Sequence, residues 1–434
     1  MSNHFRYQNN QLHAEQVPLE KIATQYGTPC YVYSRAALTE SFRQFADALQ
    51  GREHLICYAV KANANLAILN MFARLGAGFD IVSGGELQRV LAAGGDANKV
   101  VFSGVGKTAV EMRMALDADI LCFNVESAAE LDRLNEVAGS MGKVAAISLR
   151  VNPNVDAKTH PYISTGLKQN KFGVAYTEAL DLYRKARAMP NLKITGMDCH
   201  IGSQLTETSP FIAAVEKVLL LVDELAQEGI ALEHLDLGGG LGICYQDETP
   251  PAISDYIAAL LSALQGRTQK LILEPGRVLV GNAGLLLTTV EYIKPGEEKN
   301  FAIVDAAMND LMRPALYDAY HEILPVVRED HAAPHSNPLP HAGEGAIEKN
   351  KTAIYEVVGP ICETGDFLGH ARELSIAPQS RLAIMSAGAY GMSMSSNYNT
   401  RPRAAEVMVD GLDVHLVRER ETVKQLFAGE KIVA

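Results

Sequence analysis

Eight short apolar runs recur through residue 274 of this 434-residue chain, at 55–60, 79–82, 100–103, 120–125, 144–151, 194–200, 234–237 and 270–274. Segments of helical period separate them: 65–75, 85–93, 109–116, 127–138, 177–188, 210–228 and 253–264. Continuous apolar runs of strand length suit strands buried on both faces, and a helical return after each one demands parallel pairing. The alternation therefore predicts a parallel (β/α)8 barrel of the TIM type, with a doubly wound open sheet as the alternative. A helix at 18–26, an extended run at 31–33 and a first long helix at 35–49 precede it. Past Arg277 the helical rhythm stops, and β-branched runs at 278–292, 301–305, 352–358, 381–385 and 405–409 predict a second, mainly antiparallel β domain. The expected division is a barrel over 36–278 and a β domain from 1–35 and 279–434, with a surface insertion at 329–350.

The barrel makes a claim about function, because such barrels place their sites at the C-terminal ends of the strands. Polar residues cluster there. Lys61 follows the first run, and Asp80 and Glu86 lie in and after the second. Arg150 closes the fifth, His200-Ile201-Gly202-Ser203-Gln204 follows the sixth, Gly238-Gly239-Gly240 the seventh, and Glu274-Pro275-Gly276-Arg277 the last. Lys61 at a strand end would have its amine in a partly desolvated pocket, where burial disfavours the ammonium and prepares a Schiff-base nucleophile. A blindly chosen lysine is a surface residue, so the reading depends on its neighbours. The triple glycine offers backbone N–H groups without a Cβ barrier, suited to a phosphate, although tight turns use glycine too. Ser203 could donate to the same phosphate. Glu274 is either a satisfied structural carboxylate or the partner of a cation.

A lysine, an acid and a phosphate cradle at one mouth point together to pyridoxal 5'-phosphate: Lys61 as Schiff base, Glu274 holding the ring nitrogen protonated, and His200 stacked on the ring. Other chemistries fit less well. Gly104-Val105-Gly106-Lys107-Thr108 resembles the end of a nucleotide-binding loop, but Val101 stands where its leading glycine belongs. His331, His335 and His341 lack carboxylate or cysteine partners at ligand spacing, so no metal is expected. With 39 Lys and Arg against 51 Asp and Glu, the net charge of −12 argues against nucleic acid or an anionic membrane as partner. No run reaches membrane-spanning length, no apolar leader opens the chain, and six scattered cysteines form no C-x-x-C pair, so a cytoplasmic protein without disulfides is expected.

The segments YAVKAN (58–63), FDIVSGGE (79–86), HIGSQ (200–204), LGGGLG (237–242), EPGR (274–277) and CETGD (362–366) resemble, in order, the fold-type III pyridoxal-phosphate decarboxylases. Within that family MNDLMRPALYDAYH (308–321) resembles the diaminopimelate-acting branch. The resemblance implies a barrel plus β domain in a head-to-tail homodimer, with Cys362 and Glu363 acting across the interface. It implies Lys61, His200, Glu274 and Cys362 as catalytic residues. Asp80, Ser203, Gly238, Gly239, Gly240, Gly276, Arg277 and Tyr390 would join Lys61, His200 and Glu274 in binding cofactor. Arg277, Arg313, Tyr317, Glu363 and Tyr390 would bind substrate. Chemistry agrees: diaminopimelate held through one amino group leaves a distal ammonium for Glu363 and a distal carboxylate for Arg277, Arg313 and Tyr317. The implied reaction is decarboxylation of meso-2,6-diaminopimelate to L-lysine and carbon dioxide, the last step of lysine biosynthesis. Cys362 or Lys61 would be the proton donor. Alternatives are a decarboxylase of ornithine, arginine, D-lysine or carboxynorspermidine, an amino-acid racemase, or a noncatalytic pyridoxal-phosphate-binding protein. Thr364, where the family usually has serine, and the 329–350 insertion depart from the pattern.

Overall fold

A computed structural model describes residues 4–155, 171–328 and 352–433, and divides the chain into two compact units. The insertion at 329–350, with His331, His335 and His341, lies outside the described residues.

The unit Thr39–Val280 is a closed parallel barrel of eight strands. They are β1 (His54–Ala59), β2 (Gly78–Ile81), β3 (Val100–Phe102), β4 (Cys122–Val125), β5 (Ala145–Asn152), β6 (Leu192–Asp198), β7 (His234–Asp236) and β8 (Lys270–Leu273). Pairing runs in chain order, and Leu271 opposite His54 joins β8 to β1, closing the sheet and excluding the open-sheet alternative. Helices Leu66–Arg74, Gly84–Ala92, Ala109–Asp117, Ala128–Ser140, Tyr176–Arg187, Ser209–Gln227 and Ile253–Ala263 make the returns. Each strand is apolar because both of its faces are covered. Helix starts at the strand ends are fixed by short polar caps: Ser83 accepts from Glu86 N–H, Ser127 from Glu130 N–H, and Thr108 forms a capping box with Glu111.

Lys107 has an internal role. Its buried amine donates to Gly104 O at 2.7 Å, Asn124 O at 2.7 Å and Glu130 Oε1 at 2.8 Å. All three ammonium protons are thus engaged, consistent with the rejection of a nucleotide loop here. Glu126 ties neighbouring loops together, accepting from Gly104 N–H at 2.7 Å, Gly173 N–H at 3.0 Å and Arg150 Nη1 at 3.5 Å.

The second unit comprises residues 4–38 and 281–433 among those described. Its main sheet runs in the order Phe367–Leu374, Ala353–Val358, Asn300–Val304, Gly284–Lys294, Cys30–Ser34, Ala405–Asp410, Asp413–Arg418. Arg381–Ile384 pairs with Gly284–Lys294 and with Ile323–Pro325. Most pairs are antiparallel; Cys30–Ser34 with Ala405–Asp410, and Asn300–Val304 with Ala353–Val358, are parallel. The strand expected from 278 begins at Gly284, because Arg277–Val280 is helical and Gly281–Ala283 is a 3-10 turn. A short buried apolar run fits either conformation, so periodicity alone does not separate them. Phe367–Leu374, Asp413–Arg418 and the three-stranded sheet Phe5–Gln8, Gln11–Ala14, Val17–Pro18 were not foreseen, since their mixed polar residues suit sheet edges and hide strand patterning. Cys30, Cys57, Cys122 and Cys199 are buried, and all six cysteines are free. Among the described residues no helix is long and apolar enough to cross a membrane.

Removing one partner of a buried ion pair strands the other. Lys107→Ala should therefore lower the unfolding free energy by about 3 kcal/mol in urea titration of the apoprotein. A loss below about 1 kcal/mol would show that this pair does not hold the barrel together.

Candidate active site

Lys61 sits on the 3-10 turn Val60–Ala62 that directly follows β1. Ala59 N–H donates to Pro275 O at 3.2 Å, which joins this turn to the end of β8. The amine meets a carboxylate rather than an apolar wall: Nζ donates to Asp80 Oδ2 at 2.6 Å. Asp80 is fully buried in β2, while the Lys61 side chain keeps 38% of its surface. The other Asp80 oxygen has no hydrogen-bond donor within reach.

Beneath the amine lies a cluster of acids. Glu274 follows β8 and accepts from Asn124 Nδ2 at 3.4 Å and Ser103 Oγ at 3.5 Å, both at the long limit. Asp236 ends β7, with Oδ1 accepting from Gly238 N–H at 2.9 Å, and Asp198 ends β6. Carboxylate oxygens of Asp198, Asp236 and Glu274 lie within 4.8 Å of one another, all buried. Arg150 on β5 supplies a cation, its Nε 3.7 Å from Asp198 Oδ2. Burial first, then the neighbouring carboxyls, push Glu274 and Asp198 well above the usual carboxylate range. Asp236, driven mainly by burial, is pushed up to about 6. Charges this close cannot all be borne in a low-dielectric interior, so the group holds protons at neutral pH.

His200, after β6, is partly buried, and its Nδ1 accepts from Gly239 N–H at 3.1 Å. An accepting Nδ1 places the proton of the neutral ring on Nε2. Burial, with Arg150 and Lys61 adding to it, pulls His200 well below the usual histidine range, so the ring is neutral at physiological pH. This hydrogen bond also corrects the phosphate reading of the glycine run. Gly239 N–H is committed to His200 and Gly238 N–H to Asp236, so neither is the open donor expected from the sequence. The glycines are required by crowding instead: a Cβ at Gly239 would lie 2.1 Å from Glu274 O, and one at Gly240, whose φ is +112°, would lie 2.5 Å from Gly202 O. Ser203 Oγ accepts from Arg277 Nη2 at 3.1 Å and Nε at 3.3 Å, and Arg277 Nη1 donates to Tyr245 Oη at 2.7 Å. A Cβ at Gly276 would lie 3.1 Å from the Ala59 Cβ, so the strand-eight loop packs on the Lys61 turn.

These barrel residues fit pyridoxal phosphate. Lys61 offers an amine and Glu274 a buried acid. The neutral His200 ring offers a flat face, while Ser203 with the bare backbone of Gly240 and Gly276 can approach a phosphate. Sequence reading passed over Asp198, Asp236, Asn124 and Tyr245, because each was counted as part of a strand or loop. The detectable signal was a polar residue among the last positions of an apolar strand, as Asp80 also is.

The remaining expected residues belong to the second unit. Arg313 opens the short helix Arg313–Tyr317 and is buried, its Nε donating to His321 Nε2 at 3.4 Å. His321 Nδ1 donates in turn to Met385 O at 2.8 Å, which leaves Nε2 as the acceptor facing Arg313. Tyr317 is half-buried, and Tyr390 is held at φ +55°, in the left-handed region that non-glycine residues rarely occupy. Cys362 and Glu363 are exposed on a loop whose base is clamped by Asp366, which accepts from Met308 and Ile361 N–H at 2.7 and 2.8 Å. The loop is fastened at its tip as well: Tyr398 Oη donates to Glu363 Oε1, and Cys362 N–H donates to Asn399 Oδ1 at 3.1 Å.

Comparison with known proteins agrees with the pyridoxal chemistry of the barrel. Residues 35–281 match the family described as "Pyridoxal-dependent decarboxylase, pyridoxal binding domain", and the chain belongs to that family. Over 99% of its length it is 56% identical to a diaminopimelate decarboxylase of Haemophilus influenzae, all of which is covered. Over 96% it is 59% identical to one of Neisseria meningitidis, of which 97% is covered. Among solved structures, a diaminopimelate decarboxylase from M. jannaschii in complex with L-lysine aligns over 99% of this chain and 98% of its own, with TM-score 0.91 and 38% identity.

A histidine buried in its neutral form favours the fold above the unfolded-state pKa, and that contribution is lost as pH falls below it. The apoprotein should therefore lose stability below about pH 6.5, and His200→Gln should lack about 1 kcal/mol of that loss. Melting temperatures between pH 7.5 and 5 measure it. Parallel curves would show that His200 is not held neutral.

Proposed function

We infer that this chain decarboxylates meso-2,6-diaminopimelate to L-lysine and carbon dioxide, with pyridoxal phosphate as cofactor. The observation that carries the substrate is similarity at 56–59% identity, across both units, to proteins of that activity. The cofactor follows from the family and suits the barrel residues.

When bound, the cofactor supplies an electron-accepting ring that takes up the pair left behind by the departing carbon dioxide. The protein's own groups do the rest. Lys61 is the amine that carries the cofactor, and Asp80 orients it. Glu274 would hold the ring nitrogen, and His200 would lie against the ring. Ser203, Gly238, Gly239, Gly240, Gly276 and Arg277 form the phosphate end, where the engaged N–H groups of Gly238 and Gly239 act by shaping the loop and Gly240 by direct approach. Tyr390 completes the cofactor set. Arg277, Arg313 and Tyr317 receive the distal carboxylate of the substrate, and Glu363 its distal ammonium. His321 holds Arg313 in place for that task. The carbon that loses its carboxylate gains a proton from Cys362 or from the freed Lys61 amine.

The assembly proposed is a homodimer in the cytoplasm, with the barrel domain at 36–278 and the β domain from 1–35 and 279–434. Cys362 and Glu363 would then serve the site of the other subunit. A residue exposed on its own subunit, as Cys362 and Glu363 are, suits that arrangement.

Three experiments test this reading. Lys61→Ala should abolish the visible absorbance of bound cofactor and lower lysine formation by at least about 10³-fold; retention of both would overturn the cofactor assignment. Cys362→Ala should lose activity if Cys362 is the donor, and mixing it with Lys61→Ala protein should then restore about a quarter of wild-type activity if the site is shared, since half the dimers carry one intact site. No recovery after verified subunit exchange would place the site within one chain. Carbon dioxide release from diaminopimelate, ornithine, arginine and D-lysine separates the substrate readings.

A further inference from the structure

Glu274, Asp236 and Asp198 approach one another more closely than their charges allow, and the hydrogen bonds around them are unequal. Asp236 Oδ1 is anchored by the Gly238 N–H at 2.9 Å. Its Oδ2 is buried with no donor in hydrogen-bond distance, and the Asp236 carboxyl has oxygens of Glu274 and Asp198 within 4.8 Å. Carboxyl groups this close in a dry interior are compatible only if at least one of them holds a proton.

Among the other described groups facing Asp236, the Asn124 amide is a donor, and its Nδ2 is shared with Ser103 Oγ at 3.1 Å and Glu274 Oε1 at 3.4 Å. Asp198 on β6 and Asp80 on β2 are both acidic. The cations Lys61 and Arg150 are directed to Asp80 and to Glu126 and Asp198. The thiols of Cys57, Cys122 and Cys199 are kept uncharged by burial. His234, pulled down to about 4 mainly by burial, is neutral above that pH.

We propose that Asp236 is a positioning residue that shares one proton with Glu274, so that Glu274 can turn an ionised oxygen to the cofactor's ring nitrogen while the proton rests on Asp236. The proposal rests on the reading of Glu274 as the ring acid. It adds a reason for the Asp-Leu-Gly-Gly-Gly segment: the turn at Gly238 delivers the N–H that fixes the orientation of the Asp236 carboxyl. The proton passes only between the two carboxyls, so no other reactant is required.

Asp236→Asn keeps the acceptor for Gly238 and supplies a permanent N–H toward Glu274, whereas Asp236→Val supplies neither. Cofactor affinity, measured by equilibrium dialysis, should fall at least about tenfold in Asp236→Val and be restored to within about threefold in Asp236→Asn at pH 6.5. Between pH 6 and 8.5 the wild-type affinity should decline relative to that of Asp236→Asn as the shared proton is lost. A second reading needs no cofactor. Because the Asp236 pKa is raised by folding, its contribution to stability is present at low pH and is lost as pH rises from about 4 through about 6. The wild-type apoprotein should therefore fall behind Asp236→Asn in melting temperature by about 3 °C across that window.

The proposal is overturned if Asp236→Asn binds as weakly as Asp236→Val, if Asp236→Val binds like wild type, or if wild-type and Asp236→Asn melting curves run parallel with pH. It is also overturned if magnesium or zinc raises the melting temperature of the wild-type apoprotein and not of Asp236→Asn, since the cluster would then be a cation site. Should Asp236→Val not fold, the wild-type and Asp236→Asn comparison still decides. Failure of the cofactor reading looks different: wild type itself would then bind no cofactor, while the apoprotein melting comparison would keep its meaning.

Discussion

Closure of the barrel by the pairing of β8 with β1 is the constraint from which the site follows. In a parallel barrel every strand points the same way, so a polar residue placed last on any strand arrives at the same end. Asp80, Asn124, Arg150, Asp198, Asp236 and Glu274 come from strands and strand ends far apart in sequence, yet they meet in one buried polar floor whose centre is the acids Asp198, Asp236 and Glu274. An open sheet would have spread them along an edge. The β8–β1 junction also sets the Lys61 turn against the Pro275–Gly276 loop, so the amine and the acid that frame the proposed cofactor share one seam.

The floor is electrostatically unbalanced in a way that suits its task. Among the described residues, Asp80, Asp198, Asp236 and Glu274 have Lys61 and Arg150 as their cations, and the difference is absorbed by protons. A lysine or arginine added to neutralise the cluster would compete for Glu274 with the ring nitrogen proposed to pair with it. Protons can move when a ligand arrives, whereas a fixed ammonium cannot. The neutral His200, whose tautomer is set by a backbone N–H, keeps the neighbouring face free of charge for the same purpose.

Much of this was legible in the chain. The eight strand runs and the helices between them were placed to within a few residues, because buried parallel strands and amphipathic helices have the plainest hydrophobic patterns. Lys61, His200, Ser203, Glu274 and Arg277 stood out as candidates because they lie just past strand ends, where polar residues contrast with apolar ones. Asp198 and Asp236 were passed over because a strand's own last residue carries no such contrast. The roles of Gly238 and Gly239 were misjudged for a different reason: a glycine can mark an open N–H or a backbone too crowded for a Cβ, and only the three-dimensional neighbours distinguish the two. Edge strands such as Phe367–Leu374, and the His321 contact to Arg313, depend on partners remote in sequence and left no local mark.

Glu126 has an implication for how such a barrel can diversify. Its carboxylate holds Gly104 from the loop after β3, Gly173 from the segment after β5, and Arg150 within β5, while its own backbone belongs to the end of β4. Three consecutive loops are thereby yoked to one side chain. Insertions or deletions in any of them would be transmitted to the other two, so drift in that third of the rim must be concerted or absent. A second joint lies across the rim, where Arg277 after β8 holds Ser203 from the loop after β6 and Tyr245 from the loop after β7. The rim is therefore divided into two yoked sectors, each of which changes as a unit.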